Sequence, residues 1–124
     1  MGSAKRALVA GGSGFIGSHL TDLLLSKGYD VVVVDNLVTG REANLKAALS
    51  SGAKLVKADI RDRAALDRAL ADHGHFDEIY NLASPASPVD FAKMPMFILE
   101  TGAIGHRNML DLAREHDARI LFAS

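Results

Sequence analysis

The 124-residue sequence predicts an α/β fold: a doubly wound parallel sheet, strands in the order 3-2-1-4-5, truncated after the fifth strand. Three observations carry this expectation. Short β-branched apolar runs alternate with longer segments of helical periodicity. The first run opens directly into a glycine-rich turn. The second contains Val31-Val32-Val33-Val34, too uniformly apolar for a surface strand, so both of its faces are expected to be buried. Right-handed crossovers and the reversal of strand order at a switch point then favour 3-2-1-4-5.

Taken in order, Arg6 to Ala10 is the first strand. Gly14 to Lys27 is a helix with Phe15, Ile16, Leu20, Leu23 and Leu24 expected on its inner face, and Gly28 ends it. Asp30 to Val34 is the second strand, Asp35 to Arg41 a loop, Glu42 to Ser50 a short helix and Lys54 to Ala58 the third strand. Asp62 opens a helix that turns Leu66 and Leu70 inward and ends near Gly74. Asp77 to Asn81 is the fourth strand. Ser84 to Pro95 is expected to be mostly irregular, because its prolines lack the amide proton of a ladder. Met96 to His116 is a long helix with Phe97, Ile98, Ile104, Met109, Leu110 and Leu112 inward, and Arg119 to Ala123 is the fifth strand.

Composition bounds the function. With 48% hydrophobic and 23% charged residues, the chain has the balance of an ordinary globular protein, one domain over 1–124. Fourteen Lys and Arg against fifteen Asp and Glu leave a net charge of -1, so neither nucleic acid nor an anionic membrane is an expected partner. The absence of cysteine removes disulfides, thiolate zinc sites and cysteine nucleophiles, and fits a cytoplasmic location. No secretory or spanning segment is visible. The five histidines form no His-x-x-x-His pair, so no metal site is expected.

The chemistry lies in the turn after the first strand, Gly11-x-x-Gly14-x-x-Gly17. Gly11 suits a tight turn, Gly14 lets the backbone approach a diphosphate, and Gly17 lets the helix pack closely on the strand. The helix amino terminus adds unpaired N–H groups and the positive end of its dipole. Asp35, at the end of the second strand and 18 residues past Gly17, stands where a dinucleotide fold places the acid that takes the adenosine ribose hydroxyls. A carboxylate there repels a 2′-phosphate, so NAD is expected over NADP. A P-loop would need Lys-Ser or Lys-Thr after Gly17, and the sequence has Ser18-His19.

On these residues the chain resembles the extended short-chain dehydrogenase/reductase family of nucleotide-sugar enzymes, whose glycine pattern encloses a pair such as Phe15-Ile16. Asp35-Asn36-Leu37-Val38-Thr39-Gly40-Arg41 resembles that family's adenosine and diphosphate loop, and Asp59-Ile60 its pair beside adenine. Leu82-Ala83-Ser84-Pro85-Ala86-Ser87-Pro88 is similar to the segment after the fourth strand in UDP-glucuronate decarboxylases, also called UDP-xylose synthases. The resemblance implies a Rossmann-type NAD-binding domain in which Gly11, Gly14, Phe15, Ile16, Gly17, Asp35, Asn36, Thr39, Gly40, Asp59, Ile60, Leu82, Ala83, Ser84 and Thr101 meet the cofactor, and Ser87 and Asn108 the nucleotide sugar. It implies a chemistry in which NAD⁺ oxidises C4 of UDP-glucuronate, carbon dioxide leaves, and the retained NADH reduces the ketone. Two departures stand out: Gly102 and His106 break the family's Asn-x-x-Gly-Thr-x-Asn, and Glu100 stands where decarboxylases commonly carry lysine.

That family's acid-base device, Tyr-x-x-x-Lys, is missing: Tyr29 precedes Val33, and Tyr80 precedes Ser84. No catalytic residue is therefore expected, and the fragment is expected to bind NAD without turnover. The alternatives are a stand-alone NAD-binding or interaction module, and part of a sugar-nucleotide 4,6-dehydratase or 4-epimerase. The uncovered edge of the fifth strand makes a homo-oligomer an expected state. Bland roles stay open for several residues. Asp59 can cap a helix, though Asp62 is better placed; Ser84, Ser87, Thr39 and Gly40 can be turn residues.

Overall fold

The computed structural model describes residues 4–37, 41–83 and 88–123. Five parallel strands, β1 (Arg6–Ala10), β2 (Asp30–Asp35), β3 (Lys54–Lys57), β4 (Glu78–Asn81) and β5 (Arg119–Phe122), form one sheet in the expected order β3-β2-β1-β4-β5. The central β1 pairs with β2 from Arg6↔Asp30 to Ala10↔Val34, and with β4 from Ala7↔Glu78 to Ala10↔Asn81. The switch point thus lies between β1 and β4, directly under the glycine turn. The helices are α1 (Phe15–Ser26), a 3₁₀ turn (Glu42–Leu45) running into α2 (Lys46–Ser50), α3 (Arg63–Leu70), α4 (Pro88–Lys93), α5 (Pro95–Glu100) and α6 (His106–His116). A π-helical turn, Thr101–Gly105, joins α5 to α6.

Two cores follow from the two-residue period of the strands. Ala7, Val9, Val31 and Val33 pack with Leu24, Leu45 and Ala48 on the α1–α2 side. Leu8, Ala10, Val32 and Val34 pack with Leu66, Leu70, Phe76, Met109 and Leu112 on the α3–α6 side. Burying each large apolar side chain contributes about 1.5–3 kcal/mol. The valine run is buried on both faces, as its composition requires. The cover is less complete at β5, where Ile120 packs on the α6 side while Leu121, on the opposite face, is 53% exposed.

Three expectations are corrected. The inner face of α1 is Gly17, Ser18, Thr21 and Leu24, whereas Phe15, Ile16 and Leu23 point outward at 77%, 68% and 51% exposure. The helix starts immediately beside the turn it packs on, so only small side chains fit beneath its first turns. Phe15 meets the His19 ring edge-on instead. The segment expected to be irregular contains α4, opened by Pro88, and α5 follows at Pro95. Proline is tolerated at the first helical position, whose amide proton has no intrahelical acceptor. The long helix is not uniform: its buried line runs through Ile98, Thr101, Gly105, Met109 and Leu112, leaving Phe97 partly buried and Ile104 and Leu110 exposed. Gly105 explains the choice, because a Cβ there would lie 2.7 Å from Ile60 Cγ1. The helix expected to end near Gly74 stops at Leu70, four residues earlier, and shifts of a residue or two occur at other element ends, where the terminal ladder bond or helix turn decides the boundary.

Candidate functional site

The three glycines do three different jobs. Gly11 adopts φ +80, a left-handed conformation, and its N–H donates to Val34 O at 2.9 Å, which closes the turn over β2. A Cβ on it would also meet Leu82 O at 2.6 Å and Ala83 Cα at 2.8 Å, so the chain leaving β4 lies against the turn. Gly17 packs the helix onto that turn: its Cβ would overlap Gly11 O and lie 2.7 Å from Gly12 Cα. Gly14 differs. A Cβ there would meet only Gly11 O, at an ordinary 3.5 Å, and its φ of -77 suits any residue. Protein packing therefore gives no reason for glycine at 14. The space beside it stays open, and Gly14 is also the cap of α1, which has no side-chain cap and no acid in its first turn.

Asp35 ends β2 beneath this turn and is 9% exposed. Its Oδ2 accepts from Ser13 N at 3.1 Å and from Ser13 Oγ at 2.5 Å, and its Oδ1 from Leu37 N at 2.7 Å. Leu37 has φ 63, so the chain bends sharply just past the acid. No cation among the described residues pairs with Asp35, and Oδ1 keeps acceptor capacity. Ser13 is the hidden centre of this corner: its carbonyl accepts from Arg41 N at 3.2 Å and from Asn44 Nδ2 at 2.8 Å, pulling the chain after β2 back onto the glycine turn.

The next strand end carries Asp59 and Ile60, linked to Asp35 by Ala58 N donating to Asp35 O at 3.2 Å. Arg61 engages Asp59 from three atoms: N donates to Oδ1 at 2.9 Å, Nε lies 3.1 and 3.0 Å from the two oxygens, and Nη2 donates to Oδ2 at 2.7 Å. Burial opposes ionisation of Asp59, but the hydrogen bonds from Arg61, with another from the Asn36 side chain, outweigh it and hold the carboxyl below its usual value. Asp59 thus forms an Asx turn, while Asp62 caps α3 by accepting from Ala65 N at 3.1 Å. Ile60 is buried, and its carbonyl accepts from Asn108 Nδ2 at 2.7 Å.

At the end of β4, buried Asn81 accepts at Oδ1 from Ala83 N at 3.2 Å, which orients its amide so that Nδ2 donates to His106 Nδ1 at 2.9 Å. The His106 ring stacks on Phe122 at 4.0 Å. This departure from the resembled pattern therefore ties β4, β5 and α6 together. Thr101 is 4% exposed, and its Oγ1 has no hydrogen-bond partner among the described residues. A buried hydroxyl left unmatched inside the protein is costly unless a bound group satisfies it. Thr39, Gly40, Ser84 and Ser87 lie outside the described residues. Of the predicted residues, the structure brings Gly11, Gly14, Gly17, Asp35, Asn36, Asp59, Ile60, Leu82, Ala83 and Thr101 to the carboxyl edge of the sheet or the helix beside it.

Ser13, Asn44 and Arg61 complete this arrangement without having been singled out in the sequence. A hydroxyl between two turn glycines is a weak but usable signal for Ser13. No comparable signal marks Asn44, whose partner is 31 residues away, or the reach of Arg61 to Glu100, 39 residues away. Among the described residues, no three His, Asp or Glu side chains gather as a metal set, and no helix is long and apolar enough to cross a membrane.

The chain as a whole is similar to known proteins. The chain is 42% identical to UDP-glucuronic acid decarboxylase 1 of Danio rerio over 121 residues, 97% of this chain and 27% of that protein. It is 40% identical to UDP-glucuronic acid decarboxylase 1 of Arabidopsis thaliana over 120 residues, 96% of this chain and 26% of that one. Among solved structures, the Thermus thermophilus UDP-glucose 4-epimerase complex with NAD matches with a TM-score of 0.81 at 33% identity, over 96% of this chain and 37% of that one. The chain therefore spans only about a quarter to just over a third of the relatives it matches. Residues 7–124 also match the family model itself. With fold, glycine turn and relatives in agreement, the chain belongs to the NAD dependent epimerase/dehydratase family.

Proposed function

We propose that residues 1–124 form the NAD-binding part of a nucleotide-sugar enzyme whose substrate is UDP-glucuronate. The observation that carries this reading is Gly14, a glycine that protein packing leaves unexplained at the uncapped amino terminus of α1. Backbone at Gly11, Gly14, Phe15, Ile16 and Gly17 would hold the diphosphate. Asp35 would take the adenosine ribose, with Asn36, Asp59 and Ile60 on the adenine side. Leu82, Ala83 and Thr101 would lie toward the nicotinamide, where the unmatched Thr101 hydroxyl suits a ligand hydrogen bond. Thr39, Gly40 and Ser84 belong to the same cofactor reading, and Ser87 and Asn108 to the sugar.

Bound NAD supplies reversible hydride transfer at a sugar carbon. The residues present bind and orient. The names of the curated relatives and the Leu82 to Pro88 string support the decarboxylase branch, and a cytoplasmic setting fits a chain without cysteine.

Calorimetric titration of the purified chain is the test. NAD⁺ is expected to bind at least about tenfold more tightly than NADP⁺, because a 2′-phosphate would face the uncompensated Asp35 carboxylate. Asp35→Ala is expected to remove that preference. Absence of NAD⁺ binding, or equal affinity for NADP⁺, overturns the reading. No carbon dioxide is expected from UDP-glucuronate, since the sequence lacks Tyr-x-x-x-Lys; its release would overturn the assignment of a purely binding role.

A further inference from the structure

The segment 59–61 is held more firmly than a connecting loop requires. Arg61 has one face of its guanidinium committed to Asp59, Nη1 donating to Glu100 Oε1 at 3.0 Å, and its Cζ 4.4 Å from the Phe97 ring centroid. Asp59 and Asn36 are joined in turn by a side-chain hydrogen bond. One side chain thereby ties the end of β3, the residue after Asp35, and helix α5 into a single network. Asn108 and Gly105 add a second grip, the former on Ile60 O and the latter by admitting the Ile60 side chain against the π turn.

We propose that Arg61 is a positioning residue for the adenosine side of the cofactor site: it holds Asp59 and Ile60 against α5, so nucleotide affinity depends on a side chain that need not touch the nucleotide. The inference rests on the NAD reading above. The planar fork is what the geometry uses, since it spans both Asp59 oxygens and Glu100 at once, which an ammonium cannot do. Pairing Asp59 with Arg61 also leaves Asp35 as the acid of this corner without a cation among the described residues, so the two carboxylates do not compete for the same ribose or adenine donors.

The test is calorimetry of the full 124-residue chain with NAD⁺ and with AMP, alongside thermal melting. Arg61→Ala is expected to weaken both ligands by a similar factor, about tenfold, because AMP contains only the adenosine half. Arg61→Lys is expected to lose about threefold, as a point charge retains part of the network. Combining Arg61→Ala with Asp59→Asn should add little to either substitution alone, since one acts through the other. A merely structural role would lower the melting temperature of these variants and leave affinity measured well below it unchanged, and that result overturns the proposal. Should Arg61→Ala fail to fold, the lysine variant decides: unchanged affinity overturns the proposal and the partial loss supports it. If the unsubstituted chain binds no NAD⁺, the NAD reading falls and takes this inference with it. If that chain binds and the Arg61 variants bind equally well, this inference alone falls.

Discussion

Two acids end neighbouring strands at the carboxyl edge of the sheet, and they are held in opposite ways. Asp35 is buried and, among the described residues, takes only neutral donors: Ser13 N, Ser13 Oγ and Leu37 N. Asp59 is more exposed and is locked in an ion pair with Arg61, which reaches on to Glu100. Neutral donors fix a carboxylate while leaving its charge in place, whereas a guanidinium cancels it. The first arrangement leaves a buried carboxylate fixed at the edge of the glycine turn. The second makes a scaffold. Chemically identical side chains, one strand apart, are therefore assigned different work by their donors.

The largest expected effect lies under the Asp35 corner. Gly17→Ala should cost about 2–3 kcal/mol of stability by urea denaturation, because the new methyl meets backbone on two sides. Gly14→Ala should change stability by under about 0.5 kcal/mol and yet weaken NAD⁺ at least about tenfold. Equal destabilisation by both would erase the distinction between a packing glycine and a ligand glycine. Next, Asp35→Ala should cost about 2 kcal/mol, since it leaves buried Ser13 donors without an acceptor. Asp59→Ala should cost under about 1 kcal/mol, as its pair is partly exposed. A larger loss at Asp59 would reverse the comparison.

The smallest effect is in pH dependence. The folded-state value of Asp59 lies below its ordinary 3.8, so its contribution is complete above pH 3.8 and is lost as pH falls through the lower folded value. Urea midpoints at about pH 6 and about pH 3 should therefore differ more for the natural chain than for Asp59→Asn. Equal differences would show that the Arg61 contact does not favour ionised Asp59.

Much of this is legible in the sequence alone. Alternating periodicity and crossover handedness are local and geometric constraints, so the strands and their order followed from them. The tight turn at Gly11, the close packing at Gly17, the position of Asp35 and the Asp62 cap are also short-range consequences of backbone chemistry. Helix faces were less legible. At α1 and at the α5–α6 junction the apolar side chains were expected inward, but Gly17, Ser18 and Thr21 in one helix and Thr101 and Gly105 in the other occupy the contact. Hydrophobicity ranks residues by transfer from water, while close packing selects by size, and the two disagree where a helix lies tight against a turn.

By itself, then, the sequence determined the sheet, the dinucleotide turn and the acid beside it, because those depend on spacing along one stretch of chain. Only the tertiary structure decided that Ser13 orients Asp35, that Arg61 neutralises Asp59, and that His106 joins Asn81 to Phe122. Those contacts join residues far apart in the chain or hang on which way a side chain turns, and a hydrogen bond's dependence on distance and angle is not written in residue spacing.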